Sequence, residues 1–388
     1  MSQLYNVIDS DQHVNPPAQM WAEYLPEKFR ARAPVIEDGE DGQYFVFEGR
    51  RKKVITLSAM AGTDAKDYKA DAKSGEIEKR ARDAGADATV RLSEMKRDGI
   101  DAAIMFGGGP LGSSDPELFL ASFEAYNRWL NDFCSTDPQK LFGVGYVPML
   151  AHDIQGSIKL MREYARLGFR GINIPAFPMT EKSLAGLAAG GSAGPMLAIT
   201  GDAQADIGYD SPEFDPFWAC AAELDMPITI HLGARGVRMD PRHFLPDLLM
   251  TKLAMAEPVA IMIFGGVFER HPGLKFVTVE AGVGWFSFAA DYMDRTWEKQ
   301  RFWTKNTLQN PPSFYFDRNI YGTFIHDRSG IENRNQLGGR NIMWSSDYPH
   351  SETTFPESQA WIDRLFAGVP EADKADIICN RAKTVFRL

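Results

Sequence analysis

Tyr5-Asn6-Val7-Ile8-Asp9-Ser10-Asp11-Gln12-His13-Val14-Asn15 sets β-branched residues directly against a run of polar ones. Val7 and Ile8 read as a buried parallel strand, and the polar residues after them as the rim where it ends. Asp11 and His13 are two apart, so an extended backbone points both side chains to one face. A carboxylate and an imidazole converging from one strand make half of a metal site, or half of an acid/base pair. The bland alternative is a turn-capping aspartate beside a surface histidine, because Asp-x-His is a short motif. The remainder of the chain has to decide.

The 388 residues are 44% hydrophobic and 24% charged, a composition with ample core material. The formal charge of −10 is spread without long runs of one sign. A nucleic-acid or anionic-membrane surface needs a basic concentration that is not there, so neither partner is expected. Cys134, Cys220 and Cys379 are far apart and fit buried thiols in a reducing compartment better than a disulfide framework. No basic segment precedes an apolar leader, and the most apolar stretch, 258–268, is too short to span a bilayer. A cytoplasmic globular protein is expected.

Working outward from the first strand, short apolar runs alternate with amphipathic stretches. Strands are expected at 102–106, 141–147, 169–174, 226–232, 274–279, 320–325 and 342–345. Helices are expected between them, at about 89–97, 116–134, 153–167, 215–224, 248–270, 285–303, 356–366 and 372–386. Residues 114–117, Ser-Asp-Pro-Glu, set an N-cap followed by proline in the first turn. A polar insertion is expected over 37–75, with a hairpin near 44–55 whose basic run (residues 50–53) reads as a solvated face. A Gly/Ala/Ser-rich stretch over 176–210 reads as a long rim loop. Eight strands with helical intervals imply a single α/β domain over 1–388, a (β/α)8 TIM-like barrel with rim insertions. An open doubly wound sheet is less favoured, since no glycine fingerprint follows the first strand.

In such a barrel the strand C-termini meet at one rim. Asp11 and His13 end the first expected strand, His231 the fifth, Glu280 the sixth, His326 the seventh and Asp347 the eighth. The chain has seven histidines, and three of them sit at these tips. His271 precedes Pro-Gly and reads as a helix C-terminal residue; His152 and His243 read as structural or solvated. Arg235 and Arg238 follow His231, where a guanidinium fork suits a carboxylate-bearing substrate; surface arginines are the alternative. Trp21, Phe106, Trp285 and Phe324 read as an aromatic pocket or as plain core.

Four segments carry a family resemblance: Ile8-Asp9-Ser10-Asp11-Gln12-His13-Val14, Ile228-Thr229-Ile230-His231-Leu232-Gly233, His271-Pro272-Gly273-Leu274-Lys275 and Ser345-Ser346-Asp347-Tyr348-Pro349-His350. In these the chain resembles the amidohydrolase superfamily, in the amidohydrolase-related branch that holds aminocarboxymuconate-semialdehyde decarboxylase and the resorcylate decarboxylases. The resemblance implies that Asp11, His13, His231 and Asp347 bind one divalent metal, and that a homodimer is common. Two imidazoles with two carboxylates suit zinc first, with manganese or iron as alternatives. Such an ion lowers the pKa of a bound water or polarises a substrate oxygen.

Two positions depart from the family pattern. Asp11-x-His13 stands where many relatives carry His-x-His, and Glu280 stands where the decarboxylases usually place a histidine. The second change removes an imidazole, so Glu280 reads as a further ligand, a general base, or an acid if an apolar pocket raises its pKa. The leading expectation is a metal-dependent hydrolase of a small cyclic or aromatic, carboxylated or acyl substrate. Asp347 accepts the proton of the attacking water, and His326 or Glu280 assists the leaving group, with His350 as a partner of Asp347. The alternative is non-oxidative decarboxylation of an aromatic or muconate-type acid; a second alternative is a non-catalytic barrel that only binds.

Overall fold

Parallel pairing of the short apolar runs builds the molecule. The computed structural model describes residues 5–40, 42–53, 56–67, 83–188, 194–238 and 240–388. The first strand, β1 (Ile8–Val14), is buried along its whole length. Between it and the next barrel strand the chain makes a small antiparallel sheet from β2 (Val35–Gly39), β3 (Gly42–Phe47) and β4 (Arg50–Lys53). The expected hairpin near 44–55 is therefore part of a three-stranded unit; residues 41, 54–55 and 68–75 of the expected insertion lie outside the described residues.

The barrel continues with β5 (Ala102–Gly107), β6 (Leu141–Tyr146), β7 (Gly171–Asn173), β8 (Ile228–His231), β9 (Phe276–Val279), β10 (Ile320–Phe324) and β11 (Ile342–Trp344). With β1 these form one eight-stranded sheet in sequence order, each neighbour parallel to the last. Residues just beyond β11 bring the two edges together: the Asp347 amide donates to the Asp11 carbonyl (3.1 Å), and the His13 amide to the Tyr348 carbonyl (2.7 Å). Eight parallel strands wrapped by helices in a nearly closed ring are the (β/α)8 barrel that the periodicity implies.

Local chemistry places the helices. Asp87 caps Ala88–Asp98 by accepting from the Thr89 and Val90 amides, and Gly99 ends it at φ +74°. Asp115 caps Pro116–Cys134 with proline in its first turn. That helix buries Phe119, Phe123, Tyr126 and Leu130, an apolar stripe at helical spacing, against the barrel.

Two expectations change. The stretch 176–210 contains helices Glu181–Ala188 and Gly194–Thr200, because Leu184, Leu187, Leu197 and Ala198 are buried in spite of the loop-like composition around them. The single helical interval expected over 248–270 is three helices: Phe244–Leu253, Ala256–Phe264 and Val267–Arg270. Pro258 lacks the amide that would continue the first helix into the second. Gly266, at φ +73°, turns the chain between the second and third. Among the described residues no helix is long and apolar enough to cross a membrane.

Where β5 meets the rim, a Cβ on Gly107 would lie 1.6 Å from the Tyr126 hydroxyl and 2.9 Å from Val14, all tightly packed. We expect Gly107→Ala to lower the free energy of unfolding by about 1–3 kcal/mol, the usual range for overpacking. Gly108→Ala, whose Cβ meets nothing within 4 Å, serves as the control. Equal urea midpoints for the two variants would contradict this packing.

Candidate metal centre

The tip of β1 owes its shape to an irregularity. Asp9 pairs with Ala103 but Gln12 with Met105, so β1 carries one extra residue between them. Such a bulge re-aims the side chains around it. Gln12 turns back to donate to Asp9 (2.8 Å) and to accept from Arg91 Nη1 (2.9 Å). Arg91 is fully buried, also donates to the carbonyls of Ala84 and His13, and lies 4.7 Å from the centre of the Tyr348 ring. Burial pulls its pKa down to about 10. Asp9, equally buried, accepts from the amide and hydroxyl of Ser346, and burial pushes its carboxyl up to about 7. This inner network fixes β1 against the segment after β11.

On that support the ligand-type atoms converge. His13 Nε2 lies 3.3 Å from Asp11 Oδ1 and 3.1 Å from Asp347 Oδ1. His231 Nε2 is 3.3 Å from the same Asp11 oxygen, and its Nδ1 is 3.9 Å from Glu280. His350 Nδ1 lies 2.8 Å from Asp347 Oδ1, and its ring stacks on His13 with centroids 3.9 Å apart. Two overlapping sets result, each with its ligand atoms within 4.8 Å of one another: Asp11, His13, His231 and Glu280; and His13, Glu280, Asp347 and His350. His13 and Glu280 belong to both.

The donor chemistry fits a divalent cation. Asp11 Oδ2 and His13 Nε2 are buried without a hydrogen-bond partner, an arrangement disfavoured for polar atoms unless something else meets them. Burial opposes ionisation of Asp347, yet the neighbouring His350 and His13 imidazoles hold its carboxyl well below the usual range. Asp11 is likewise lowered, against burial, by His13 and His231. His13 is raised, burial notwithstanding, by Asp11 and Asp347. Glu280 is pushed up to about 8, chiefly by burial and the charge of Asp347, with Lys252 acting the other way. Metal ligands bind deprotonated, so a cation here competes with the protons on His13 and Glu280.

Lys252 gave no signal in the sequence, lying in a helix with no motif around it. Its ammonium donates to the Glu280 carbonyl (3.2 Å) and to Glu352 (3.0 Å), and sits 3.8 Å from the Glu280 carboxylate. Arg91 gave none either. The other residues singled out from sequence fall in different places. His326 is exposed, lies against Trp361 with ring centroids 4.3 Å apart, and is in neither set. Arg238 commits its fork to Asp247 (2.7 and 2.8 Å), while Arg235 reaches the same carboxylate at 3.4 Å. Phe106 lies 5.0 Å from the His231 ring, whereas Trp285 packs edge-on against Phe286 and Phe316. Trp21 is buried beside the rim cleft described below.

Comparison with known proteins gives a consistent frame. A family model described as amidohydrolase matches residues 8–388. A gamma-resorcylate decarboxylase of Rhodococcus jostii (strain RHA1) is 26% identical over 318 residues, covering 77% of this chain and 87% of the relative. Among solved structures, an amidohydrolase from Mycobacterium avium subsp. paratuberculosis K-10 superposes with a TM-score of 0.73 at 20% identity, over 99% of this chain and 100% of that one. A dihydroxybenzoic acid decarboxylase from Polaromonas sp. JS666, with bound manganese and the inhibitor 2-nitroresorcinol, superposes with a TM-score of 0.62 at 16% identity, over 99% and 98%.

Metal analysis of the purified protein by mass spectrometry should find about one divalent ion per chain, and less as the pH is lowered and protons compete for the ligands. His13→Ala, which removes the imidazole lying between Asp11 and Asp347, should abolish that content. Full occupancy in the variant would contradict the site.

Proposed function

This chain belongs to the amidohydrolase family, an enzyme family, and from that premise we propose that it is a metal-dependent, non-oxidative decarboxylase of an aromatic carboxylic acid. The observation that carries the reading is the Asp347–His350 pair, 2.8 Å apart, in a chain whose relatives include enzymes named as decarboxylases. Hydrolysis, the leading expectation from sequence, has less support: the named relatives favour its alternative. Family membership also sets aside a barrel that only binds.

Asp11, His13, His231 and Asp347 would hold the ion, with Glu280 close enough to complete the set. Three carboxylates against two imidazoles make an oxygen-rich donor set, which favours manganese over the zinc expected from the histidines. Held there, a divalent ion would supply Lewis acidity toward the substrate carboxylate.

The side chains do the rest. Decarboxylation breaks the bond from ring carbon to carboxylate and leaves the electron pair on carbon, which must then receive a proton. Asp347 is kept ionised by His13 and His350, and the proton for the ring carbon is delivered through its carboxyl, 2.8 Å from His350. His350 is about a quarter exposed, which lets it recover a proton from water after carbon dioxide leaves. The acid/base work first given to His326 suits His350 better, since His326 faces Trp361. Glu280 is steadied by Lys252, a cation that offsets part of the charge brought by replacing an imidazole with a carboxylate. Arg238 is already committed to Asp247, leaving Arg235 as the freer of the two guanidinium groups. A homodimer belongs to the same proposal. Helices Phe244–Leu253 and Trp285–Thr304 expose Leu245, Leu249, Phe288 and Tyr292, apolar side chains that a second copy would cover.

Metal-loaded protein should release carbon dioxide from hydroxybenzoates and leave aryl esters and amides intact; acyl cleavage without carbon dioxide would reverse the assignment. Asp347→Asn should lower kcat by roughly 10³-fold, within the usual range for a lost general acid. Wild-type turnover in Asp347→Asn would remove Asp347 from the mechanism.

A further inference from the structure

The small inserted sheet sorts its basic run by strand alternation. In the β3–β4 pair Phe45 faces Lys52 and Phe47 faces Arg50, whereas Tyr44 faces Lys53 and Val46 faces Arg51. Directly opposed residues share a face, so one face of the hairpin carries two phenyl rings beside two cations. The other face uses Arg51 internally: its guanidinium lies 3.4 Å from the centre of the Tyr44 ring and 3.4 Å from Glu37. Arg51 and Lys52 are both exposed, so the run is solvated, and strand pairing divides it between the two faces.

The first face lines a cleft of ≈ 380 Å³, in which Trp21, Phe45, Phe47, Arg50 and Lys52 lie across from the glycine-rich run 108–112. That volume is within the range of small-molecule sites. A specific clamp holds its two walls together. Glu48, at the hairpin turn, accepts from the Ser113 hydroxyl (2.6 Å), from the amide and hydroxyl of Ser114 (2.8 Å each) and from Arg32 (2.9 Å). Against the effect of burial, the bonds from Ser113 and Ser114 bring its carboxyl down to about 2. Arg50 leans on the same carboxylate (3.2 Å), while the Lys52 ammonium has no partner among the described residues. Gly108 presents bare backbone, with nothing within 4 Å of where its Cβ would be.

The cleft is lined by residues that closely follow those of the metal centre along the chain: Pro16 comes three residues after His13, and Gly108 two after Phe106, whose ring lies against His231. Val14 and Gly107 are register partners at this rim.

We propose that this cleft is the distal half of the substrate site, taking an aromatic portion of the substrate that ends in a second anionic group set against Lys52 and Arg50. The proposal rests on the decarboxylase reading for its anchor and makes dianionic acids longer than one ring better substrates than simple hydroxybenzoates. Carboxylate, sulfonate and phosphate share the chemistry these cations recognise.

Naphthalene-2-sulfonate, titrated calorimetrically into the metal-loaded full chain, tests it. One saturable site is expected, tighter than for the neutral 2-naphthylmethanol and kept after chelator treatment. Lys52→Glu should weaken it about fivefold, the scale of a partly exposed ion pair. Gly108→Leu, which fills the cleft from a backbone that accepts a side chain, should weaken it as well. Absence of saturable binding, or equal affinity in wild type and Lys52→Glu, overturns the proposal. Binding that disappears with the metal and ignores Lys52→Glu puts the probe at the metal centre; the cleft proposal then fails while the decarboxylase reading stands. Cleft binding in a protein that releases no carbon dioxide from any aromatic acid upholds the cleft and removes the reaction.

Discussion

Two backbone hydrogen bonds at the seam of the barrel, Asp347 amide to Asp11 carbonyl and His13 amide to Tyr348 carbonyl, do two jobs at once. They join the first strand to the last, and they bring together the residues that carry the candidate chemistry. A ligand set drawn from both ends of a 388-residue chain exists only when the ring is closed. Site assembly and barrel closure are therefore one event, and the Asp9–Gln12–Arg91–Ser346 network behind the seam serves both.

Backbone conformation at the strand tips points the same way. Glu280 and Asp347 sit at φ +60° and +59°, a left-handed conformation that side chains other than glycine and asparagine rarely adopt. Such strain costs of order 1–3 kcal/mol and persists only where surroundings enforce it. Here the Glu280 amide is held by the Thr323 hydroxyl and the Asp347 amide by Asp11. The result aims two more carboxylates at a centre that already holds Asp11. Buried carboxylates this close need compensating partners; Lys252 and the imidazoles of His13, His231 and His350 lie beside them.

Much of this could be read from residue order. Eight apolar runs, the cap at Asp115, and polar residues at the strand ends needed only period, turn chemistry and the scarcity of histidine. What stayed hidden depends on contacts distant in sequence. The bulge in β1 shows only against β5, and Arg91 looks like any helix arginine until its fork meets Gln12 and His13. His326 and His350 both follow late strands, and only the path of each loop separates the one on Trp361 from the one on Asp347. The residues at 50–53 look uniformly basic until pairing with β3 divides them between two faces. Glycine and alanine around 176–210 conceal leucines that bury two short helices.

The central claim is that Asp11, His13, His231 and Asp347 share a single divalent ion at the closing seam. Anomalous diffraction at the manganese edge, from crystals of manganese-loaded protein, tests it directly. The account predicts one strong peak per chain within bonding distance of all four residues. A peak that leaves out Asp347, or none at the seam, would contradict it.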